Sequence, residues 1–211
     1  MSPIGIFGGT FDPVHYGHLR PALEMQQDLN LSEVRFIPCR IPPHKTKPKA
    51  SVEHRLAMLQ LALEGLEGMC VDQRELQREG ISYMVDTLTS LRQELGERPI
   101  CLILGMDAFA GIHRWHRWRD LLRLAHLVVA SRPGSEVPLR GVPGDLLQHF
   151  STRQPRRLLE KPSGVVLLHP VTQLDISATQ TRKLAAKSGD LRFLMPEKVR
   201  NYIEQHRLYL S

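Results

Sequence analysis

Residues 4–7 form a short apolar run, Ile4-Gly5-Ile6-Phe7, closed by Gly8-Gly9, and predict a buried first strand. The rhythm then changes. Leu19, Ala22, Leu23 and Leu29 recur at helical spacing, which predicts a helix starting near His18 with Pro21 close to its first turn. Residues 34–37 predict a second strand, and 38–49 a loop carrying four prolines. Leu56, Leu59, Leu63 and Leu66 mark an amphipathic helix, and 69–71 a weak strand. Val85, Leu88, Leu91 and Leu95 mark a helix opened by Ser82. The clearest strand is 100–104, with Gly105-Met106-Asp107 at its carboxyl end. Leu121, Leu122 and Leu124 predict a short helix, 126–130 and 165–168 two more strands, and helices near 178–187 and 197–206 close the chain. The stretch 132–164, rich in Pro, Gly and Arg, reads as a surface excursion or flap.

Strands alternating with helices imply an α/β fold: a doubly wound, Rossmann-like parallel sheet with C-terminal helices, in a single domain over 1–211. In such sheets ligands bind beyond the carboxyl ends of the strands. The segments after Phe7, Ile37 and Leu104 all fall there and can converge.

Composition narrows the classes. Hydrophobic residues make up 42% and charged residues 24%, as in ordinary globular domains. No apolar run is long enough to span a membrane, and the start of the chain lacks a signal-peptide pattern, so a cytoplasmic location is expected. The three cysteines, Cys39, Cys70 and Cys101, form no Cys-x-x-Cys pair, which argues against a disulfide framework or a zinc site. The formal charge of +6 is compatible with nucleic acid or small polyanions. Without a basic run or an aromatic-and-basic stripe, a nucleic-acid module is disfavoured.

The chemistry concentrates in Gly8-Gly9-Thr10-Phe11-Asp12-Pro13-Val14-His15-Tyr16-Gly17-His18, which follows a strand and opens a helix. Free N–H groups and the helix dipole make that position an anion site. The pattern is neither Gly-x-Gly-x-x-Gly nor a P-loop, so a dinucleotide-binding dehydrogenase and a P-loop NTPase are disfavoured. The spacing of His15 and His18 puts both rings on one side of the helix start. Either one caps and the other packs, or both donate to phosphate oxygens; the Gly-Gly turn favours the second. Farther along, Ser177 and Gln180 read as a capping box, so Arg182 falls near the positive end of a helix. A bound anion would relieve that conflict; a plain cap with a solvated Arg is the alternative.

His15-Tyr16-Gly17-His18 resembles the signature of the nucleotidylyltransferase superfamily. The longer Gly9-to-His18 stretch is similar to that of bacterial nicotinate mononucleotide adenylyltransferases. Further matches are Pro42-Pro43-His44-Lys45, Glu53-His54-Arg55, Ser82-Tyr83, Asp86-Thr87-Leu88, Gly105-x-Asp107, Trp115, Ser131-Arg132-Pro133-Gly134 and the segment from Ile176 to Arg182. The resemblance implies adenylyl transfer from ATP to nicotinate mononucleotide, giving nicotinate adenine dinucleotide and pyrophosphate. It implies His15, His18 and Arg182 as the catalytic set. Gly8, Gly9, Thr10, Phe11, Gly17, Lys45, Gly105, Asp107, Ser177 and Thr179 would face ATP, with the C-terminal helices over 178–211 completing that site. Thr10, His44, Lys45, Ser82, Tyr83, Met84 and Trp115 would face the mononucleotide, with Trp118 an alternative to Trp115 for stacking. Met84 departs from the family's usual Thr. No protein metal site is expected; Mg²⁺ would ride on the ATP phosphates. The partners are then ATP and nicotinate mononucleotide, with neither nucleic acid nor membrane, and a homo-oligomer stays open. A relative acting on another phosphate, such as phosphopantetheine, and a non-catalytic nucleotide sensor are the remaining alternatives.

Overall fold

The computed structural model describes residues 1–43, 47–131, 137–172 and 174–210. The elements in chain order are β1 (Ile4–Gly9), α1 (Tyr16–Asp28), β2 (Glu33–Pro38), α2 (Val52–Leu63), β3 (Met69–Val71), α3 (Arg74–Gln77), α4 (Met84–Leu95) and β4 (Ile100–Gly105). They continue with α5 (Met106–Ala110), α6 (Trp118–Leu124), β5 (His126–Ser131), α7 (Gly141–Phe150), β6 (Ser151–Thr152), β7 (Val166–Pro170), α8 (Ala178–Ala185) and α9 (Glu197–Gln205).

One parallel sheet of seven strands runs in the order β3-β2-β1-β4-β5-β7-β6. The chain winds outward from β1 to β3, then returns to build the other half from β4. The strand order therefore reverses between β1 and β4, where a crevice opens at the carboxyl ends, beside Gly9 and Gly105. The strand sequences explain why both faces are covered. In β4, Ile100, Leu102 and Leu104 join one core while Cys101 and Ile103 join the other. Leu127 and Val129 alternate with Val128 and Ala130 in β5 in the same way. Helices α1, α2 and α9 cover one face, over a core that holds Phe36 and Met58; α4 and α6 pack on the opposite face, with Ile4 and Ile6.

The sequence pattern and the structure part in several places. Helix α1 starts at Tyr16, two residues early, because the His15 carbonyl already accepts the N–H groups of His18 (2.8 Å) and Leu19 (3.2 Å). Pro21 consequently lies one turn in, buried. Ser82 does not open α4: its Oγ accepts the N–H of Arg40 at 2.9 Å, and Tyr83 takes the cap position without a side-chain cap. Leu66 lies beyond the end of α2, exposed, after the left-handed turn at Gly65. The described part of 132–164 is no featureless excursion. Leu146 and Leu147 bury one face of α7, and β6 pairs in parallel with β7. Pro143 and Gly144 sit in the first turn of α7, where Pro is tolerated and neither breaks the helix.

Arg92, at the end of α4, joins three loops at the edge away from the crevice. Its Nη1 donates to the carbonyls of Gly96 (2.6 Å) and Arg98 (2.7 Å), and its Nη2 to those of Leu124 (2.5 Å) and Pro162 (3.0 Å). Arg92→Ala leaves four carbonyl acceptors without this donor, three of them part-buried. It is expected to lower unfolding free energy by about 2–4 kcal/mol in urea titrations, with the ligand affinity of the folded fraction unchanged. A loss below about 0.5 kcal/mol would show that water replaces the guanidinium freely.

Candidate active site

The crevice is floored by the turn between β1 and α1. Phe11 has φ 49°, in the left-handed region, and turns its ring down into the core, 1% exposed. That ring meets His18 edge-on at 5.3 Å and Phe7 at 6.0 Å. Phe11, expected among the residues facing ATP, is thus a wall beneath His18, and only its backbone is left to face a ligand. The Thr10 carbonyl accepts Arg55 Nη1 at 2.8 Å, which pins the turn from below.

His15 and His18 stack, with ring centroids 3.7 Å apart and planes 30° apart. The His15 main-chain N–H donates to His18 Nδ1 at 3.3 Å. His18 Nδ1 therefore carries a lone pair, and the ring's proton sits on Nε2 as a donor. His15 is buried, and burial lowers its pKa to about 4, so this ring is neutral at neutral pH. Its Nδ1 is buried without a partner. Two stacked rings can share this volume because neither needs to be charged. Gly17 makes the arrangement possible. A Cβ there would lie 2.8 Å from the Ile176 carbonyl and 2.9 Å from the His15 ring. Only glycine lets the approach to α8 press against the start of α1, so two helix N-termini face one small volume.

On the α8 side, Ser177 Oγ accepts the Gln180 N–H at 3.2 Å and donates to Gln180 Oε1 at 2.9 Å. The capping half of the expected box is present; the hydroxyl is engaged within the protein. Arg182 Nη2 donates to Thr179 Oγ1 at 3.3 Å, and Nη1 to the Asp12 carbonyl at 2.6 Å, with the Asp12 carboxylate 3.8 Å away. The expected conflict with a positive helix end does not arise: α8 is short, Arg182 falls in its last turn, where the dipole favours a cation, and Asp12 pairs with it. The side chain remains 24% exposed, so it is not wholly enclosed by its protein partners.

At the end of β4, Gly105 caps α5 with φ −72°, a conformation open to any residue, and a Cβ there would meet nothing within 4 Å. The fold itself does not require glycine at this position, and the space beside it is open. Asp107 is exposed in the first turn of α5. Across the crevice, Met84 opens α4, and the end of its side chain, Cε, lies against Gly8 where a Cβ would point. The N–H groups of Ser82 and Tyr83 donate to Ile41 (2.9 Å) and Ile81 (3.0 Å) carbonyls, so neither is open to a ligand. The donors of this helix start are instead Met84 and Val85, which lack an intrahelical acceptor. Tyr83 lies against His116, with centroids 4.3 Å apart. Trp115 is half-buried on the same core, while the Trp118 ring is covered by Arg119 at 4.5 Å, which favours Trp115 as a stacking surface. His44, Lys45 and the 132–134 part of the Ser131-to-Gly134 match lie outside the described residues.

Residues 6–184 match the cytidylyltransferase-like family model. A protein of Hahella chejuensis, described as a probable nicotinate-nucleotide adenylyltransferase, is 49% identical over 99% of this chain and 96% of its own. One of Methylococcus capsulatus with the same description is 45% identical over 98% and 99%. The chain belongs to the cytidylyltransferase-like family, among its nicotinate-nucleotide adenylyltransferases. The fold agrees with the Plasmodium falciparum nicotinic acid mononucleotide adenylyltransferase solved with NaAD, at TM-score 0.72 and 18% identity over 99% of this chain and 98% of that one.

Three residues of this site carry no role in the sequence pattern. Asp12 stands inside the motif yet is marked by no spacing rule. Arg55 belongs to a matched triplet, but nothing in the sequence says that it is buried under Thr10. Tyr209, whose hydroxyl donates to Asp12 Oδ1 at 2.8 Å, lies 197 residues away, and no local signal could have found it. Among the described residues, the two buried side-chain polar atoms without a partner are His15 Nδ1 and Arg55 Nε, both at this turn. Buried groups of this kind call for a partner from outside the chain, a water or a ligand.

The neutral His15 predicts an acid-sensitive fold. The unfolded chain takes up a proton near the ordinary 6.5, while the folded chain holds off to about 4. The stabilisation is full above 6.5 and is lost as pH falls from there towards 4, amounting to about 3 kcal/mol. His15→Asn should remove this component, so the wild type should lose about 3 kcal/mol more than the variant between about pH 7.5 and 4. Equal pH dependence in urea titrations would contradict it.

Proposed function

We propose that this chain transfers the adenylyl group of ATP to nicotinate mononucleotide, releasing pyrophosphate and forming nicotinate adenine dinucleotide. One observation carries the reading. Two neutral imidazoles stack where the starts of α1 and α8 meet, opposite a guanidinium already fixed by Asp12. That arrangement supplies donors to phosphate oxygens and has no need of a base, since the attacking 5′-phosphate is already an anion. His15 and His18 donate to oxygens of the α- and β-phosphates, and Arg182 with the first N–H groups of α8 holds the leaving pyrophosphate. The C-terminal segment from 178 thereby completes the ATP site, and Gly105 and Asp107 receive the ribose.

The pyridine ring rests on Trp115, and the N–H groups of Met84 and Val85 receive the carboxylate at the start of α4. Among the described residues no three His, Cys, Asp or Glu side chains gather as a metal site. The crevice offers nitrogen and hydroxyl donors, which suit phosphate oxygens rather than a hard cation. A divalent ion, Mg²⁺ in our reading, comes with ATP and neutralises its phosphates. No helix among the described residues is long and apolar enough to cross a membrane.

The test is incubation with ATP and Mg²⁺ plus nicotinate mononucleotide, nicotinamide mononucleotide or phosphopantetheine. The dinucleotide and pyrophosphate are expected, with kcat/KM favouring the carboxylate over the amide by about 10²–10⁴, because the amide NH₂ would leave two buried donors facing another donor. A ratio near one would remove α4 as the carboxylate site; product with phosphopantetheine alone would overturn the assignment.

A further inference from the structure

Beyond α9 the chain is steered back into the molecule. Arg207 (φ 50°) turns left-handed after α9, with the Arg207 N–H on the Glu204 carbonyl at 3.2 Å and the Leu208 N–H on the Ile203 carbonyl at 3.0 Å. Tyr209 is left-handed again, with φ 67°. Neither position is a glycine, so both conformations are strained and persist only because the end of the chain is packed in place. Leu208 and Tyr209 lie against the core that contains Phe11 and Val14. The Tyr209 hydroxyl ends on Asp12 Oδ1, the oxygen that also accepts the Ala50 N–H at 3.1 Å. Asp12 Oδ2 accepts the Lys49 N–H at 2.8 Å and faces Arg182. Burial and the neighbouring Asp12 charge push the Tyr209 hydroxyl well above the usual phenol range, so it stays a donor.

We propose that Tyr209 is a positioning residue for the phosphate site: its hydroxyl fixes the Asp12 carboxylate, and Asp12 in turn sets the guanidinium of Arg182 for the leaving pyrophosphate. The C-terminal turn is then part of the nucleotide site without touching the nucleotide. Tyr209 reaches the reaction only through a second side chain, so its effect appears in how the phosphates are held. The proposal rests on the adenylyl-transfer reading through the role given to Arg182.

The experiment titrates the intact chain with inorganic pyrophosphate by calorimetry. Tyr209→Phe keeps the packed ring and removes only the hydroxyl. Its Kd for pyrophosphate, and its KM for ATP, should rise by about five- to tenfold, less than the full effect of a hydrogen bond to a charged group because Tyr209 acts only through Asp12. The KM for nicotinate mononucleotide should not move. In an Arg182→Gln background the same substitution should add less than about twofold, because the link it breaks is already gone. A merely structural tyrosine would lower Tm and act equally in both backgrounds, and that result overturns the proposal. So does an unchanged Kd in Tyr209→Phe. If the phenylalanine variant does not fold, Asp12→Asn reads the same link; a Kd for pyrophosphate that stays at the wild-type value overturns it. Wild-type chain that binds no pyrophosphate overturns the adenylyl-transfer reading itself.

Discussion

Asp12 sits 4% exposed beneath the turn between β1 and α1, and its carboxylate takes the N–H groups of Lys49 and Ala50 and the hydroxyl of Tyr209. Its main-chain carbonyl takes Arg182. A buried carboxylate is tolerable only when each oxygen is satisfied, and here the partners come from distant parts of the chain. The loop after β2, the last turn of α8 and the C-terminal turn are thereby tied to the phosphate turn. With Asp12 holding Arg182 and Gly17 letting the Ile176 carbonyl approach, the two helix starts cannot drift apart. The donors stand in place before any substrate arrives, which is the condition under which fixed dipoles stabilise developing charge most strongly.

Much of this could be read from residue order. The alternation of apolar runs gives the parallel sheet, and Gly8-Gly9 followed by two histidines three apart gives the place and face of the phosphate turn. Local patterns succeed there because strand, turn and helix start are local objects. They fail where a distant group decides. Ser82 looks like a helix cap until Arg40 from the loop after β2 engages its hydroxyl. Arg182 looks like a cation at a positive helix end until α8 proves so short that it falls in the last turn, paired with Asp12, 170 residues earlier. Phe11 looks like part of the ligand surface until its left-handed backbone turns the ring inward. Helix α7 is obscured by Pro143 and Gly144, which fall in its first turn where they do no damage.

The electrostatic character of the site comes from burial. Burial keeps His15 neutral, and His18, stacked on it at 3.7 Å, uses Nδ1 as an acceptor for the His15 N–H. Such rings serve as directional donors rather than as proton acceptors. Paired with a guanidinium whose orientation Asp12 fixes, they favour a reaction in which charge moves between phosphate oxygens and no proton need be transferred by the protein.

That claim is tested most directly by the stereochemistry at the α-phosphorus. With ATP chirally labelled by sulfur at that atom, direct in-line attack by the mononucleotide phosphate yields a dinucleotide of inverted configuration. Inversion is the expected result. Net retention would require two displacements and an adenylylated side chain, and would contradict the account of this crevice as a set of fixed donors.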